Sequence, residues 1–311
     1  MGDLQYVGRI QDEKQAKLIS LIKVHSGMDF SCATLPQDGR LSIKYQNKDF
    51  DIRTASLPTI HGEDFVLRLF NTQTSNLDIQ QLGFEPIVKD RLIKLLAKQH
   101  GLILVTGATG SGKTTTLYAL LRHLQASKSL NIVTLEDPVE NIIPGIRQSQ
   151  INLKSGFDFP AGLSAILRQD PDVIMIGEIR DQQTAKIALN AAYTGHLVLA
   201  TLHTHNVEAS VLRMLGFSLD KFLLGNCLRG IISQKLVPKL CPKCQKGCPF
   251  CFFTGYNGRI LLSETLFVQD VLNLDLDFKD LIQQHAYFSF MADFQAKVDK
   301  VLVSKRQIMD F

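Results

Sequence analysis

A glycine-rich stretch between an apolar run and an amphipathic run most constrains what this chain can fold into. Residues 107–114 read Gly-Ala-Thr-Gly-Ser-Gly-Lys-Thr and match the phosphate-loop pattern G-x-x-x-x-G-K-[ST]. Residues 102–105 before the loop are all apolar, as in a buried strand, and the segment after it carries leucines at helical spacing. Because a phosphate loop needs a strand before it and a helix after it, this context favours the loop over a chance glycine-rich turn.

The loop predicts a site for a nucleoside triphosphate. Its glycines let the backbone curl so that N–H groups face a phosphate at the positive end of the following helix. Lys113 is placed to reach the β- and γ-phosphates, and the Thr114 hydroxyl is placed to hold Mg²⁺. The predicted nucleotide-binding residues are Gly107, Ala108, Thr109, Gly110, Ser111, Gly112, Lys113, Thr114 and Thr115.

Unbroken apolar runs alternate with helical segments after residue 85. The runs lie at residues 102–105, 131–135, 173–176 and 197–201, and a helix ending at Gly101 is predicted over 85–100. Strands buried on both faces give continuous apolar runs, and their alternation with helices predicts a mostly parallel, doubly wound α/β sheet. Before this region, a helix at 15–24 and strands at 41–45 and 65–70 predict a small α+β unit.

The overall composition is that of an ordinary globular chain. Hydrophobic residues make up 45% and charged residues 21%, and the net charge of +4 is not gathered into a basic stripe. Binding to nucleic acid is therefore not expected. No apolar run approaches the roughly 20 residues that span a bilayer, and the N-terminus lacks a secretory signal, so we expect a cytoplasmic protein.

Carboxylates and histidines follow or flank the predicted strands. Glu140 closes the segment TLEDPVE, and Glu178 lies in GEIRD. Acids at strand ends share the sheet edge of the phosphate loop, where they can hold Mg²⁺ or orient water. His196 and His203 flank the run 197–201. A role as γ-phosphate sensor or hydrogen-bond relay is favoured over a metal site, and ordinary structural histidines are the remaining interpretation.

Four cysteines form two C-x₂-C pairs that only three residues separate. Four thiolates suit a structural, tetrahedral Zn²⁺. Such a short spacing also fits ligation of an iron–sulfur cluster, and unligated thiols are the third possibility. The predicted zinc ligands are Cys241, Cys244, Cys248 and Cys251, and the predicted Mg²⁺ ligands are Thr114 and Glu178.

The motifs together resemble those of a known superfamily. The segments GATGSGKTTT, TLEDPVE, LRQDPDVIMIGEIRD and TGHLVLATLHTHN are similar, in order and spacing, to the Walker A, Asp box, Walker B and His box of the secretion ATPases. These are the motors of type II secretion, type IV pili and competence pseudopili, and the chain resembles the competence motor most. PQDGR, DIRTASLPT and GEDFVLRLF extend the resemblance to residues 36–68, and TGYNGRILLSE resembles the segment after the cysteines of assembly and export motors.

The resemblance implies a fold and a set of partners. It implies a RecA-like P-loop ATPase domain at 85–311 with a tetracysteine zinc segment at 241–251, a linker at 73–84, and a partial, PAS-like α+β domain at 1–72. ATP, Mg²⁺ and a structural Zn²⁺ are the implied cofactors. The implied partners are five further copies in a homo-hexamer, a polytopic inner-membrane platform protein and the pseudopilin assembly machinery, at the inner face of the cell membrane.

The resemblance also implies roles for single residues. Glu140 would be the general base, Glu178 would sit beside Mg²⁺, and His196 and His203 would couple the γ-phosphate to movement. Together with Lys113, the implied catalytic set includes two arginines of the N-terminal domain that reach the phosphates, Arg53 and Arg68. Two departures from the family pattern are an alanine, Ala108, in place of a proline, and His205-Asn206 in place of Asn-Asp.

The implied function is a hexameric ATPase that powers assembly of a pilus or pseudopilus, or protein secretion. A pilus-retraction motor is the alternative within the superfamily. Two alternatives come from other classes: a RecA-like nucleic-acid motor, and a scaffold that binds ATP without hydrolysing it.

Overall fold

The chain forms two compact units. The computed structural model describes residues 6–46, 48–71, 77–244 and 247–310. The first unit is Met1–Asn76 and the second is Leu77–Phe311. A three-stranded sheet belongs to the first unit and an eight-stranded sheet to the second, which confirms the predicted α/β class for the larger unit.

The first unit packs one helix on an antiparallel meander. Helix α1 is Asp12–Ser26, and strands β1, β2 and β3 are Gln37–Tyr45, Lys48–Thr59 and Gly62–Asn71. The end of α1 lies directly on β1, because a Cβ at Gly39 would lie 2.3 Å from the Ser26 carbonyl oxygen. Strand β2 is absent from the prediction because two of its buried side chains, Thr54 and Ser56, are polar, so the sequence shows no apolar alternation there.

The second unit alternates strands and helices along the chain. Its elements are α2 (Pro86–Leu96), β4 (Gly101–Thr106), α3 (Lys113–Ser127), β5 (Ile132–Glu136), β6 (Arg147–Gln150), α4 (Phe159–Ile166), β7 (Val173–Ile176), α5 (Gln182–Tyr193), β8 (Leu197–Leu202), α6 (Val207–Gly216), α7 (Lys221–Cys227), β9 (Leu228–Leu240), β10 (Tyr256–Phe267), α8 (Phe278–Gln284), β11 (Ala286–Phe288) and α9 (Phe290–Asp299). The strand order is β11-β10-β9-β4-β8-β7-β5-β6.

The sheet is parallel from β9 to β6, and β10 and β11 extend it antiparallel. Strand β4 buries all six of its residues. Leu102 and Leu104 pack into one hydrophobic cluster, and Ile103 and Val105 pack into another, so the strand contributes to two apolar clusters. This two-sided burial explains why its sequence is an unbroken apolar run.

Two predicted boundaries are wrong. Helix α2 ends at Leu96 with Ala97 as its C-cap, and Gly101 begins β4 instead of ending the helix. Within the predicted linker 73–84, the side chains of Ile79, Leu82 and Phe84 are buried in the core of the second unit, so residues 77–84 belong to that unit. The rest of the predicted linker lies outside the described residues. In the described part of the chain, no helix is both long and apolar enough to cross a membrane.

Candidate nucleotide site and cysteine cluster

The parallel register brings the carboxyl ends of four strands together, and these ends form the sheet edge at which the predicted site lies. Thr106 at the end of β4 pairs with Leu202 at the end of β8, and β7 and β5 end alongside them. The segments that follow these strands carry the phosphate loop, His203, Glu178 and Glu140. The structure therefore brings these sequence-predicted residues to the same sheet edge, where ligands of open α/β sheets bind.

The phosphate loop is held in a conformation that requires glycine at its first position. Gly107 has φ 146°. A Cβ there would lie 2.4 Å from the backbone oxygen of Gln234, a separation that real Cβ atoms do not show. Lys113 begins α3 and is buried, and its Nζ donates to the carbonyl oxygens of Gly107 at 2.8 Å and Ala108 at 3.1 Å. The ammonium group is thus hydrogen-bonded to the backbone of its own loop.

Gln234 on β9 anchors the loop and escaped the sequence analysis. Its side chain is 1% exposed. Its Nε2 donates to the Ser111 carbonyl oxygen at 2.8 Å, and its Oε1 accepts from Thr116 Oγ1 at 3.0 Å. The available signal was the polar pair Ser233-Gln234 directly after the apolar residues Ile231 and Ile232, since an amide that continues a buried strand needs hydrogen-bond partners.

Glu178 and His203 form the polar centre of this edge. The Glu178 carboxylate pairs with the Arg180 guanidinium, and its second oxygen lies 3.3 Å from His203 Nε2. Burial, followed by the charge of Lys113, lowers the pKa of His203, although Glu178 opposes this shift. The lowered pKa favours the neutral imidazole at pH 7, and its Nε2 lies 3.3 Å from the Glu178 carboxylate. Burial also lowers the pKa of Lys113, and Glu178 again acts in the opposite direction.

Two other polar residues of the motifs have structural roles. Asp181 of GEIRD is the N-cap of α5 and accepts a hydrogen bond from the Thr184 backbone N–H at 2.8 Å. Asn206, at the unusual turn of the His box, caps α6 in the same way through Ala209 N–H. Such caps fix where a helix begins, so they fix the backbone beside Glu178 and His203.

His196 does not lie with His203, contrary to the prediction for both histidines. It precedes β8, whereas His203 follows it, and the Gly101 N–H donates to the His196 carbonyl oxygen at the start of β4. A strand of this length separates its two ends by roughly 20 Å. His196 Nδ1 instead contacts the Ala191 carbonyl oxygen at 2.9 Å. Within this chain, His196 therefore lies at the opposite end of the parallel strands from the phosphate loop.

The two predicted arginines lie opposite each other in the first unit. Arg53 on β2 pairs in register with Arg68 on β3 and, on its other side, with Arg40 on β1. Side chains of directly opposed residues share one face of a sheet. Three guanidinium groups therefore share a face of this small sheet.

The loop residues fit a triphosphate with Mg²⁺. Ser111 Oγ is a buried hydroxyl oxygen for which the described residues offer no hydrogen-bond partner. The buried ammonium of Lys113 and the N–H groups at the start of α3 add positive charge suited to phosphate oxygens. Thr114 and Glu178 supply hydroxyl and carboxylate oxygens, the donor type that Mg²⁺ prefers.

The four clustered cysteines fit a tetrahedral metal site. Their sulfur atoms all lie within 4.8 Å of one another. Sulfur pairs 241–248, 244–251 and 248–251 are 4.0, 3.5 and 3.8 Å apart. Around a Zn²⁺ with bonds of about 2.3 Å, sulfurs at tetrahedral corners are about 3.8 Å apart. Burial acts to raise the pKa of the Cys251 thiol, but the N–H groups of Cys248 and Gly255 outweigh it and lower the pKa to about 6.

We expect one Zn²⁺ per chain. The variant Cys244→Ser should lose this ion, and its melting temperature should fall by about 5–10 °C because thiolate–zinc bonding stabilises the fold. Elemental analysis of protein purified without added metal, followed by thermal unfolding, measures both effects. Cys32→Ser is the matched control, since Cys32 lies in the other unit. Iron with a visible absorbance band, or no metal at all, would contradict the zinc site.

Fold and site together define a P-loop nucleotide-binding protein with a RecA-like sheet. The chain belongs to the family described as Type II/IV secretion system protein, which matches residues 2–306. It is 47% identical over 278 residues to the type II secretion system protein HxcR of Pseudomonas aeruginosa, covering 86% of this chain and 59% of that protein. It is 42% identical over 281 residues to the type II secretion system ATPase E of Vibrio cholerae, covering 82% of this chain and 56% of that protein.

Two solved structures share this fold. The pilus retraction motor PilT with bound ADP is 28% identical, with a TM-score of 0.67 over 89% of this chain and 77% of that one. The ATPase DotB of Yersinia pseudotuberculosis is 22% identical, with a TM-score of 0.72 over 93% of this chain and 80% of that one, and it shows the fold alone. The chain spans less than two thirds of the length of the two sequence relatives.

Proposed function

We propose that this chain is the ATP-hydrolysing part of a motor for protein secretion or for assembly of a pilus-like fibre. The observation that carries the proposal is the shared sheet edge, at which the phosphate loop, Glu178 and His203 lie together in a member of the secretion family. A phosphate loop alone supports nucleotide binding. The added carboxylate and its neutral histidine partner supply groups that a hydrolysis site uses.

Each residue at this sheet edge has a separate role in the proposed reaction. Lys113 would neutralise charge that develops on the transferred phosphoryl group, while Thr114 and Glu178 would hold Mg²⁺ directly or through water. When bound, Mg²⁺ supplies charge stabilisation at the phosphate oxygens. Glu140, which follows β5 at the same edge, would accept the proton of the attacking water. The contact in which His203 Nε2 faces the accepting Glu178 carboxylate would transmit a change at the phosphate to the start of α6.

The arginine row of the first unit supplies a second source of positive charge. Arg40, Arg53 and Arg68 occupy directly opposed positions of the three strands, so this face carries guanidinium groups suited to phosphate oxygens. We expect Arg53→Ala and Arg68→Ala each to lower the turnover of ATP by about 10-fold or more, as loss of a phosphate-contacting arginine does. Steady-state phosphate release measures the effect, with Arg9→Ala as the control in the same unit. Wild-type turnover in both variants would show that this face does not act on the phosphates.

Family membership supports a proposal for the assembly and the partners of this chain. A homo-hexamer, a polytopic platform protein and the fibre machinery at the inner face of the cell membrane are proposed for this chain, as is a cytoplasmic location. Identity of 47% over 278 residues to a type II secretion protein supports the secretion or assembly role. The segment TGYNGRILLSE after the cysteine cluster resembles that of assembly motors and supports the same role. A competence role stays a prediction.

Phosphate release by the purified chain tests the proposal. The proposal requires release from ATP that depends on Mg²⁺ and that added DNA leaves unchanged. Stimulation by DNA would favour a nucleic-acid motor. Tight ATP binding without any release, in protein whose hexameric state is verified, would favour a scaffold.

A further inference from the structure

A buried hydrogen-bonded network contacts the backbone of the segment that carries Glu140. Its centre is Glu136, the last residue of β5, which is 3% exposed. One carboxylate oxygen of Glu136 accepts from Thr134 Oγ1 at 2.5 Å and from Gln148 Nε2 at 3.1 Å. The other oxygen accepts from the hydroxyl group of Tyr118 at 2.5 Å.

Tyr118 connects this carboxylate to the backbone of Glu140. Its side chain is 1% exposed, and it lies on α3, the helix that begins with the phosphate-loop lysine. Burial, followed by the hydrogen bond to Glu136, raises the pKa of Tyr118, so the hydroxyl stays protonated and donates to Glu136. The same oxygen accepts from the Glu140 backbone N–H at 3.3 Å. One hydroxyl group therefore joins the phosphate-loop helix, strand β5 and the Glu140 segment.

Gln148 on β6 contacts the same segment at residues that follow Glu140 in the chain. Its Nε2 also donates to the Asn141 carbonyl oxygen at 3.0 Å, and its Oε1 accepts from the Ile143 N–H at 2.6 Å. Glu140 itself is exposed. The backbone on both sides of an exposed side chain is thus fixed by groups that are buried or partly buried.

From these contacts we infer that Tyr118 and Glu136 are positioning residues that set the place of the Glu140 carboxylate relative to the phosphate loop. The inference rests on the proposed function, in which Glu140 accepts a proton from water. A general base acts only within hydrogen-bond reach of its proton, and a displacement of about 1 Å can cost about 100-fold in rate. Neither Tyr118 nor Glu136 needs to touch the nucleotide for this effect.

The test is Tyr118→Phe, which removes one oxygen and keeps the ring. We expect kcat for ATP hydrolysis to fall about 10- to 100-fold, while KM for ATP stays within about 2-fold. Tyr287→Phe is the matched control, because Tyr287 also donates to a buried glutamate, Glu264, in the same sheet. The control is expected to keep kcat within about 2-fold, even where its melting temperature falls by as much as that of Tyr118→Phe.

A double-mutant cycle separates positioning from general loss of structure. In a Glu140→Gln background, measured by single-turnover phosphate release, Tyr118→Phe is expected to cause no further loss, because the group that it positions is already absent. Glu136→Gln is the second variant if Tyr118→Phe does not fold, and the same fall in kcat is expected. An unchanged kcat, an equal fall in Tyr287→Phe, or losses that multiply in the cycle would each overturn the inference. Wild-type hydrolysis by Glu140→Gln would instead contradict the proposed role of Glu140.

Discussion

Lys113→Ala is expected to abolish ATP hydrolysis, with a loss of at least about 100- to 1,000-fold in kcat. The ammonium of Lys113 is the buried positive charge of the phosphate loop, and its Nζ lies against the loop backbone at 2.8 Å from the Gly107 oxygen. Alanine removes that charge where negative charge develops during phosphoryl transfer. Phosphate release by the purified variant measures the loss.

A control for this variant lies on the same helix. Lys128 caps the other end of α3 and is exposed, so Lys128→Ala should keep wild-type turnover and a similar melting temperature. If Lys113→Ala released phosphate at the wild-type rate, the site assigned to the loop would be wrong. A loss shared by both variants would point to damage of α3 instead of loss of the phosphate contact.

Glu178→Gln is expected to bind ATP but to hydrolyse it about 100- to 1,000-fold more slowly. Glutamine keeps the size of the side chain and removes its charge. The substitution therefore takes away a carboxylate from Mg²⁺ and weakens the contacts to Arg180 and His203, while Lys113 and the loop backbone still hold the phosphates. A fluorescent ATP analogue measures binding, and phosphate release measures turnover.

The matched control for Glu178 is Glu208→Gln, an exposed carboxylate in the first turn of α6. Its turnover should equal that of the wild type. Failure of Glu178→Gln to bind nucleotide would mean that Glu178 holds the site together, and normal turnover would remove Glu178 from the mechanism.

Local patterns predicted the elements whose sequence matches their burial. Strand β7 spans Val173–Ile176 as predicted, because all four residues are buried and apolar. The phosphate loop also follows from local spacing, since its nucleotide-binding residues are consecutive in the chain. Strand β2 did not follow, because Thr54 and Ser56 are buried without being apolar. Burial of polar side chains is decided by tertiary contacts that a local pattern does not contain.

Long-range contacts account for the remaining differences. Gln234 contacts Ser111 across 123 residues, so no motif could connect them. His196 and His203 flank one strand in the sequence, and only the direction of that strand shows that they lie at opposite edges of the sheet. The role of Tyr118 depends likewise on the meeting of α3 with the segment after β5. Sequence identifies the chemical groups here, and topology decides which of them meet.

The position of β9 beside β4 has a consequence for dissecting the chain into fragments. All four nucleotide motifs end by Asn206, yet β9 begins only at Leu228. A fragment that stopped after the His box would keep every motif and lose Gln234, the anchor of the phosphate loop. It would also make β4, which is buried along its whole length, the outermost strand of the sheet. The unpaired backbone N–H and C=O groups of such a strand promote aggregation. The smallest piece that can hold the nucleotide site is therefore longer than the stretch that its motifs mark.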